Sequence, residues 1–163
     1  IALGAYELAQ KYAPAAIDDV AAFENAAAQN AAEINLPEDA LIVRDTKYLD
    51  ESGHVDYLKY ALDDGFVAGT KHIETLDTGV LIDRYGGPGG DFTAPKGTPY
   101  KMRSLPYYKN QNVYHVYRVI KPIENVEAGR IAPAFGEPGG GIQYKLPAPI
   151  EKLLGEYLEE VTQ

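Results

Sequence analysis

In the first 34 positions, Ile17, Val20, Ala21, Ala27, Ala28, Ala31 and Ile34 recur at steps of mainly three, four or seven. That period, in an alanine-rich stretch whose one proline, Pro14, sits where a second helix can begin, predicts two helices. The stripe is largely alanine, so residues 1–45 read as a packed helical appendage or as the end of an upstream region. Leu36-Pro37-Glu38-Asp39 breaks the period. Beyond it, short β-prone segments at Leu41–Val43, Val80–Asp83, Val113–Ile120 and Arg130–Ala134 alternate with turns. Val113–Ile120 is the clearest strand, dense in β-branched and aromatic residues, with Val113, Tyr117 and Val119 on one face and His115 between the first two. Glycine and proline crowd residues 86–99 and 129–149, which read as loops, and Ile150–Val161 reads as a short helix burying Ile150, Leu153, Leu154 and Leu158. The pattern predicts an α+β fold over residues 46–163, with a small, twisted, mixed or antiparallel sheet, because a doubly wound sheet would need repeated crossover helices.

Composition narrows the function classes. The chain has 163 residues, 45 % hydrophobic and 24 % charged, as expected of one folded domain with an appendage. A net charge of −9 argues against a nucleic-acid backbone or an anionic membrane as partner, although a few arginines can still line a local anion pocket. The absence of cysteine removes disulfides, thiolate metal sites and thiol nucleophiles. No apolar run reaches the length of a membrane span, and Ile1-Ala2-Leu3-Gly4 reads as a processed or trimmed boundary. Tyrosine supplies 13 of the aromatic residues against four phenylalanines, which suits wet pockets more than a dry core.

Several motifs fail on their physical requirements. Gly86-Gly87-Pro88-Gly89-Gly90 fits neither dinucleotide nor P-loop spacing, is followed by no lysine, and opens no long helix. His54, His72 and His115 are too scattered for a zinc site, and Asp45–Asp56 lacks the spacing of a calcium loop. There is no G-x-S-x-G nucleophile elbow and no E-x-E pair of an arginine-directed ADP-ribosyltransferase. What remains is an ordered set: Asp83-Arg84-Tyr85-Gly86, Gly90-Asp91-Phe92, Met102-Arg103-Ser104-Leu105-Pro106, Tyr114-His115-Val116-Tyr117, Ile131–Gly136 and Pro138-Gly139-Gly140-Gly141-Ile142-Gln143-Tyr144. Taken singly, each has a structural explanation: a surface ion pair, a satisfied strand histidine, a turn.

Taken in order, the set closely resembles the TNT domain family, the tuberculosis-necrotizing-toxin type of NAD⁺ glycohydrolase of bacterial polymorphic toxins and fungal surfaces. The resemblance runs from Asp64-Gly65-Phe66 to Gly155-Glu156-Tyr157-Leu158 and leaves residues 1–45 outside. The chain departs from the family at Tyr60-Ala61-Leu62-Asp63, where prolines are common, and at Glu137, where many relatives carry Gln. The resemblance implies cleavage of NAD⁺ to nicotinamide and ADP-ribose, and a core distantly like that of ADP-ribosyltransferases. It implies Arg84, His115 and Gln143 as catalytic residues and Tyr85, Phe92 and Arg103 as substrate-binding residues. Transfer or cyclisation of ADP-ribose, or nucleotide binding without turnover, are the alternatives.

These residue types suit that ligand. Arg84 and Arg103 can each present a forked donor to a pyrophosphate. Phe92 offers a flat face to a cationic nicotinamide. Gln143 can hold a ribose hydroxyl or a water without adding charge, and the glycines before it let backbone approach closely. His115 can hydrogen-bond substrate or move a proton. Nicotinamide is already a good leaving group, so no general acid is required; no matching carboxylate pair is present, so the general base stays open. NAD⁺ is expected as substrate with no cofactor; some relatives bind calcium, but no residue set here matches such a site. The family habit implies a secreted or delivered effector acting on NAD⁺ in a target cell's cytosol, with a cognate immunity protein in a bacterial producer.

Overall fold

Tyr114–Val119 forms the expected strand, with Tyr117 and Val119 at 1 % and 0 % exposure on its inner face. It belongs to a computed structural model that describes residues 37–162. The two helices expected within residues 1–34 lie outside the described residues. Seven strands are present among the described residues: β1 (His72–Leu76), β2 (Leu81–Tyr85), β3 (Phe92–Pro95), β4 (Tyr114–Val119), β5 (Ile123–Arg130), β6 (Ile142–Lys145) and β7 (Leu158–Val161). They form one sheet in the order β1-β5-β6-β3-β2-β4-β7, and every neighbouring pair is antiparallel. Among the described residues helix is confined to short pieces, chiefly α1 (Tyr57–Tyr60) and α2 (Ile150–Leu153). The antiparallel alternative is therefore the observed one.

Several boundaries differ from the sequence pattern, each for a physical reason. The C-terminal helix ends at Leu153 rather than Val161; Gly155 turns the chain at φ +93, and Leu158–Val161 returns as β7 beside β4. There Leu158 stands opposite Val119 and is fully buried, so an exposed sheet edge is covered at the expense of two helical turns. β3 and β6 lie inside the two stretches that glycine and proline mark as loops, and they pair with each other. β1, and all of β5 but its last residue, lie outside the segments that the pattern marks as strands, and the expected strand Arg130–Ala134 reduces to that last residue of β5 plus two bridges, Ile131 to Phe66 and Ala134 to Glu137.

The main core joins Ile82, Tyr117, Val119 and Leu158 on one face of the sheet to Ile150 and Leu153 of α2. Each such side chain, fully buried, contributes on the order of 1.5–3 kcal/mol. A second cluster packs Val43 and Tyr48 against Phe135, with the Tyr48 and Phe135 rings edge to face at 5.2 Å. Arg44 pairs with Glu137, and its Nε donates to the Tyr107 carbonyl at 3.0 Å. The described part of the stretch before residue 46 is thus tied to the sheet domain, and Glu137 has a partner that accounts for a charge at that position.

Candidate active site

On β2 the side chains alternate, so Asp83 and Tyr85 point to one face and Arg84 to the other. The Asp83 face is closed by the turn Tyr100–Arg103. Asp83 is fully buried, and its Oδ2 accepts from Arg103 Nη2 at 2.8 Å, Tyr114 Oη at 2.6 Å and the Gly97 amide at 2.8 Å. Its Oδ1 lies 2.6 Å from Arg103 Nη1 in ion-pair contact. Arg103 also donates from Nε and Nη2 to the Thr98 carbonyl, at 3.0 and 2.7 Å. The Arg103 guanidinium lies 4.9 Å from the Tyr85 ring centre, and that ring contacts Tyr100 and Tyr114 at 4.8 and 4.7 Å. Burial pushes the Tyr114 hydroxyl up to about 12, helped by its bond to Asp83, and burial alone does most of the same for Tyr100, also to about 12.

The opposite face treats Arg84 differently. Nε donates to the Gly87 carbonyl at 2.9 Å and Nη1 to the Phe92 carbonyl at 3.0 Å. Among the described residues no carboxylate lies within ion-pair distance of it. Burial without a counter-charge in contact lowers its pKa, which marks a cation that an incoming anion would stabilise.

Gln143 sits on β6 opposite Gly129, 9 % exposed, and its Nε2 donates to the Asp64 carbonyl at 2.9 Å. Asp63 and Asp64 both adopt left-handed backbone, at φ 50 and 56, a conformation that costs non-glycine residues energy and persists when neighbours enforce it. Lys71 holds Asp63 at 2.7 Å, and Lys145 holds Asp64 at 3.0 Å. Lys145 then lies 5.6 Å from the centre of the Phe92 ring.

These elements meet in one cleft of about 340 Å³, counted out to its open mouth. It is lined by Arg84, Tyr85, Phe92, Arg103 and Gln143, with Asp83, Leu105 and Ile131 beside them. Five of the six expected site residues are therefore brought together from positions up to 59 apart in the chain, 84 to 143. His115 is not part of the lining. It stands opposite Arg84 on β4, with β2 between it and Phe92, and its Nδ1 is 3.5 Å from Glu160 Oε2. Two roles change. The Arg103 fork, expected on a phosphate, is engaged by Asp83 and Thr98. The triple glycine approaches protein rather than an open ligand space: a Cβ on Gly139 would fall 2.6 Å from the Ile131 carbonyl oxygen. Asp83 and Asp64 had no assigned role; an aspartate ending the apolar run Val80-Leu81-Ile82 was the available signal for the first. Among the described residues no group of His, Asp or Glu side chains is arranged to hold a metal ion.

An antiparallel sheet domain whose cleft combines arginine, aromatic rings and a buried amide is a class suited to an anionic ligand with flat, partly cationic parts. The chain belongs to the tuberculosis necrotizing toxin family, whose sequence profile matches residues 75–161. Over 78 residues it is 45 % identical to the conidial surface nicotinamide adenine dinucleotide glycohydrolase nadA of Aspergillus fumigatus, covering 43 % of this chain and 32 % of that protein. The match thus spans about a third of that relative's length. The fold is similar to that of tuberculosis necrotizing toxin in the complex with its immunity factor, with TM-score 0.54 and 24 % identity over 71 % of this chain and 67 % of that one.

Proposed function

We propose that this chain is a toxin-type NAD⁺ glycohydrolase that hydrolyses the nicotinamide–ribose bond. The observation that carries this reading is the convergence of Arg84, Tyr85, Phe92, Arg103 and Gln143 on one cleft in a chain of this family.

In the reaction, a water oxygen bonds to ribose C1′ and the C1′–N bond breaks. Its electron pair neutralises the nicotinamide ring, and the water's second proton leaves to solvent. The Phe92 face favours the cationic ring before cleavage. Gln143, its amide nitrogen engaged by Asp64, offers Oε1 to a ribose hydroxyl or to the attacking water, orienting the reacting centre. Arg84 has three of its five N–H groups beyond the two loop carbonyls, and this reading assigns them to the pyrophosphate. Arg103 acts by fixing Asp83 and Tyr85. His115 reaches this site only past Arg84, so its catalytic part rests on the resemblance. NAD⁺ enters as substrate, and the reading assigns no cofactor or metal. A delivered effector of this kind, acting in a target cell's cytosol, would need an immunity protein in a bacterial producer.

The test is incubation with NAD⁺ and chromatography of the products. Equal amounts of nicotinamide and free ADP-ribose are expected. A cyclic or protein-linked product would assign transferase or cyclase chemistry instead, and NAD⁺ bound but unconsumed would make the chain a binding module. Gln143→Ala should lower kcat by about 10²-fold while NAD⁺ still binds.

A further inference from the structure

The glycine-rich stretch 86–90, which fits no phosphate-binding spacing, has a different use in the folded chain. It wraps the Arg84 guanidinium. The side chain donates to the carbonyl of Gly87 on one side of the loop and to that of Phe92 on the other, and Gly90 lies between them. A Cβ on Gly90 would fall 2.0 Å from Arg84 Nη2 and 2.3 Å from Cζ, well inside contact distance. A Cβ on Gly86 would lie 3.0 Å from the same Nη2, whereas one on Gly87 or Gly89 would meet nothing within 4 Å. The space that the guanidinium fills is thus the space of the missing Gly90 side chain.

The loop is also fixed from behind. The amides of Ile150 and Glu151, at the start of α2, donate to the carbonyls of Gly90 at 3.0 Å and Pro88 at 2.8 Å, and the Leu146 amide donates to Asp91 at 2.8 Å. With its outer side held by the core helix, the loop cannot retreat cheaply from an added methyl group. The flexible end of Arg84 would move instead.

We infer that the Gly87 and Phe92 carbonyls and the bare Cα of Gly90 form a rigid seat for the Arg84 guanidinium, and that Gly90 is the positioning residue that sets where this cation meets the ligand's anionic group. The inference rests on the reading that Arg84 binds the pyrophosphate of NAD⁺. The physical content is that Gly90 acts through Arg84: Gly90 does not have left-handed backbone, and the three atoms that an alanine methyl would meet first all belong to the guanidinium.

A four-protein cycle tests this: wild type, Gly90→Ala, Arg84→Ala and the double variant, with Gly89→Ala as control. Steady-state kinetics on NAD⁺ and melting temperature are measured on each. Gly90→Ala should raise KM about tenfold or more with kcat little changed, as Arg84→Ala does. The double variant should match Arg84→Ala alone in KM, because the methyl group added at position 90 then displaces nothing, and Gly89→Ala should match wild type. The melting temperature should fall for Gly90→Ala when Arg84 is present and should not fall further when Gly90→Ala is combined with Arg84→Ala. Equal, additive losses in both backgrounds would make Gly90 a packing position and overturn the inference, as would a wild-type KM and melting temperature for Gly90→Ala. If the wild-type chain leaves NAD⁺ intact, the enzymatic reading falls, and the melting-temperature cycle still decides whether the seat exists.

Discussion

Arg84 and Arg103 both border one cleft, from opposite faces of β2, and are held in opposite ways. Arg103 is 7 % exposed, faces a fully buried carboxylate, and has its charge neutralised inside the protein. Arg84 is held by two backbone carbonyls and a missing side chain, with no carboxylate among the described residues close enough to pair with it. The difference lies in electrostatics as well as in location. A buried pair that loses one member leaves an uncompensated charge behind, so the Arg103 side is where stability is at stake. A cation held only by carbonyls gains from an arriving anion, so the Arg84 side is where ligand affinity is at stake.

The largest expected effect follows directly. Asp83→Ala should lower unfolding stability by about 3–5 kcal/mol, the usual loss on breaking a buried pair. Arg103→Ala should fall in the same range, because Asp83 is then buried without its cation. Arg84→Ala should cost less, about 1.5–3 kcal/mol for its charge-assisted bonds to the loop carbonyls, while weakening NAD⁺ binding. Urea unfolding of the three variants beside wild type measures this ordering. Comparable losses at Arg84 and Arg103 would erase the distinction between the two sides.

An intermediate effect belongs to pH, and the Asp83 side supplies one share of it. Burial, with the Tyr114–Asp83 hydrogen bond, holds the Tyr114 hydroxyl protonated up to about 12, above its ordinary value of 10.0. The folded state therefore keeps a proton that the unfolded chain releases first. That contribution is fully present below the ordinary tyrosine value and is lost as pH rises toward the folded one. Melting temperature should hold steady up to about pH 10 and then decline across the next two units. Tyr114→Phe should flatten part of that decline, leaving the share of the other tyrosines that burial pushes up, Tyr57, Tyr100 and Tyr117 among them. If tyrosinate absorbance shows every tyrosine ionising together at the ordinary value, the buried network is looser than described.

The legibility of these features in the sequence divides along the same physical line. β4 is readable because β-branched and aromatic residues concentrate in a run that needs no distant partner to look like a strand. β3 and β6 are not, since their pairing is set by long-range register and each carries proline or lies next to glycines that resemble loop punctuation. The C-terminal apolar spacing fits a helix and a strand about equally well, and only the open edge of β4 decides it. At the site, the ordered motifs bring forward five residues that do line the cleft. What the motifs cannot convey is the partner of each charge. Asp83 precedes Arg84 in sequence, yet alternation along β2 sends it to Arg103, and glycines that suggested approach to a ligand turn out to accommodate a neighbouring arginine and a neighbouring backbone.

The smallest effect asks whether Gln143, like Arg84, is held by backbone rather than by a side chain. Its amide donates to the Asp64 carbonyl, while the Asp64 carboxylate is directed to Lys145. Asp64→Gly keeps that carbonyl and relieves a left-handed residue. It also loses a solvent-exposed ion pair, worth about 0–1 kcal/mol, and adds chain entropy to the unfolded state. These terms oppose one another, so unfolding stability should stay within about 1 kcal/mol of wild type. Turnover of NAD⁺ should be nearly unchanged, because the carbonyl that orients Gln143 remains in place. Asp64→Val makes the converse arm: a β-branched residue resists this backbone, so the carbonyl should swing away and kcat should fall along with stability. Urea unfolding and NAD⁺ kinetics on the two variants decide the matter. A large loss of kcat in Asp64→Gly would mean that the carboxylate itself takes part, which would place Gln143 with Arg103 among the groups held by a charged side chain.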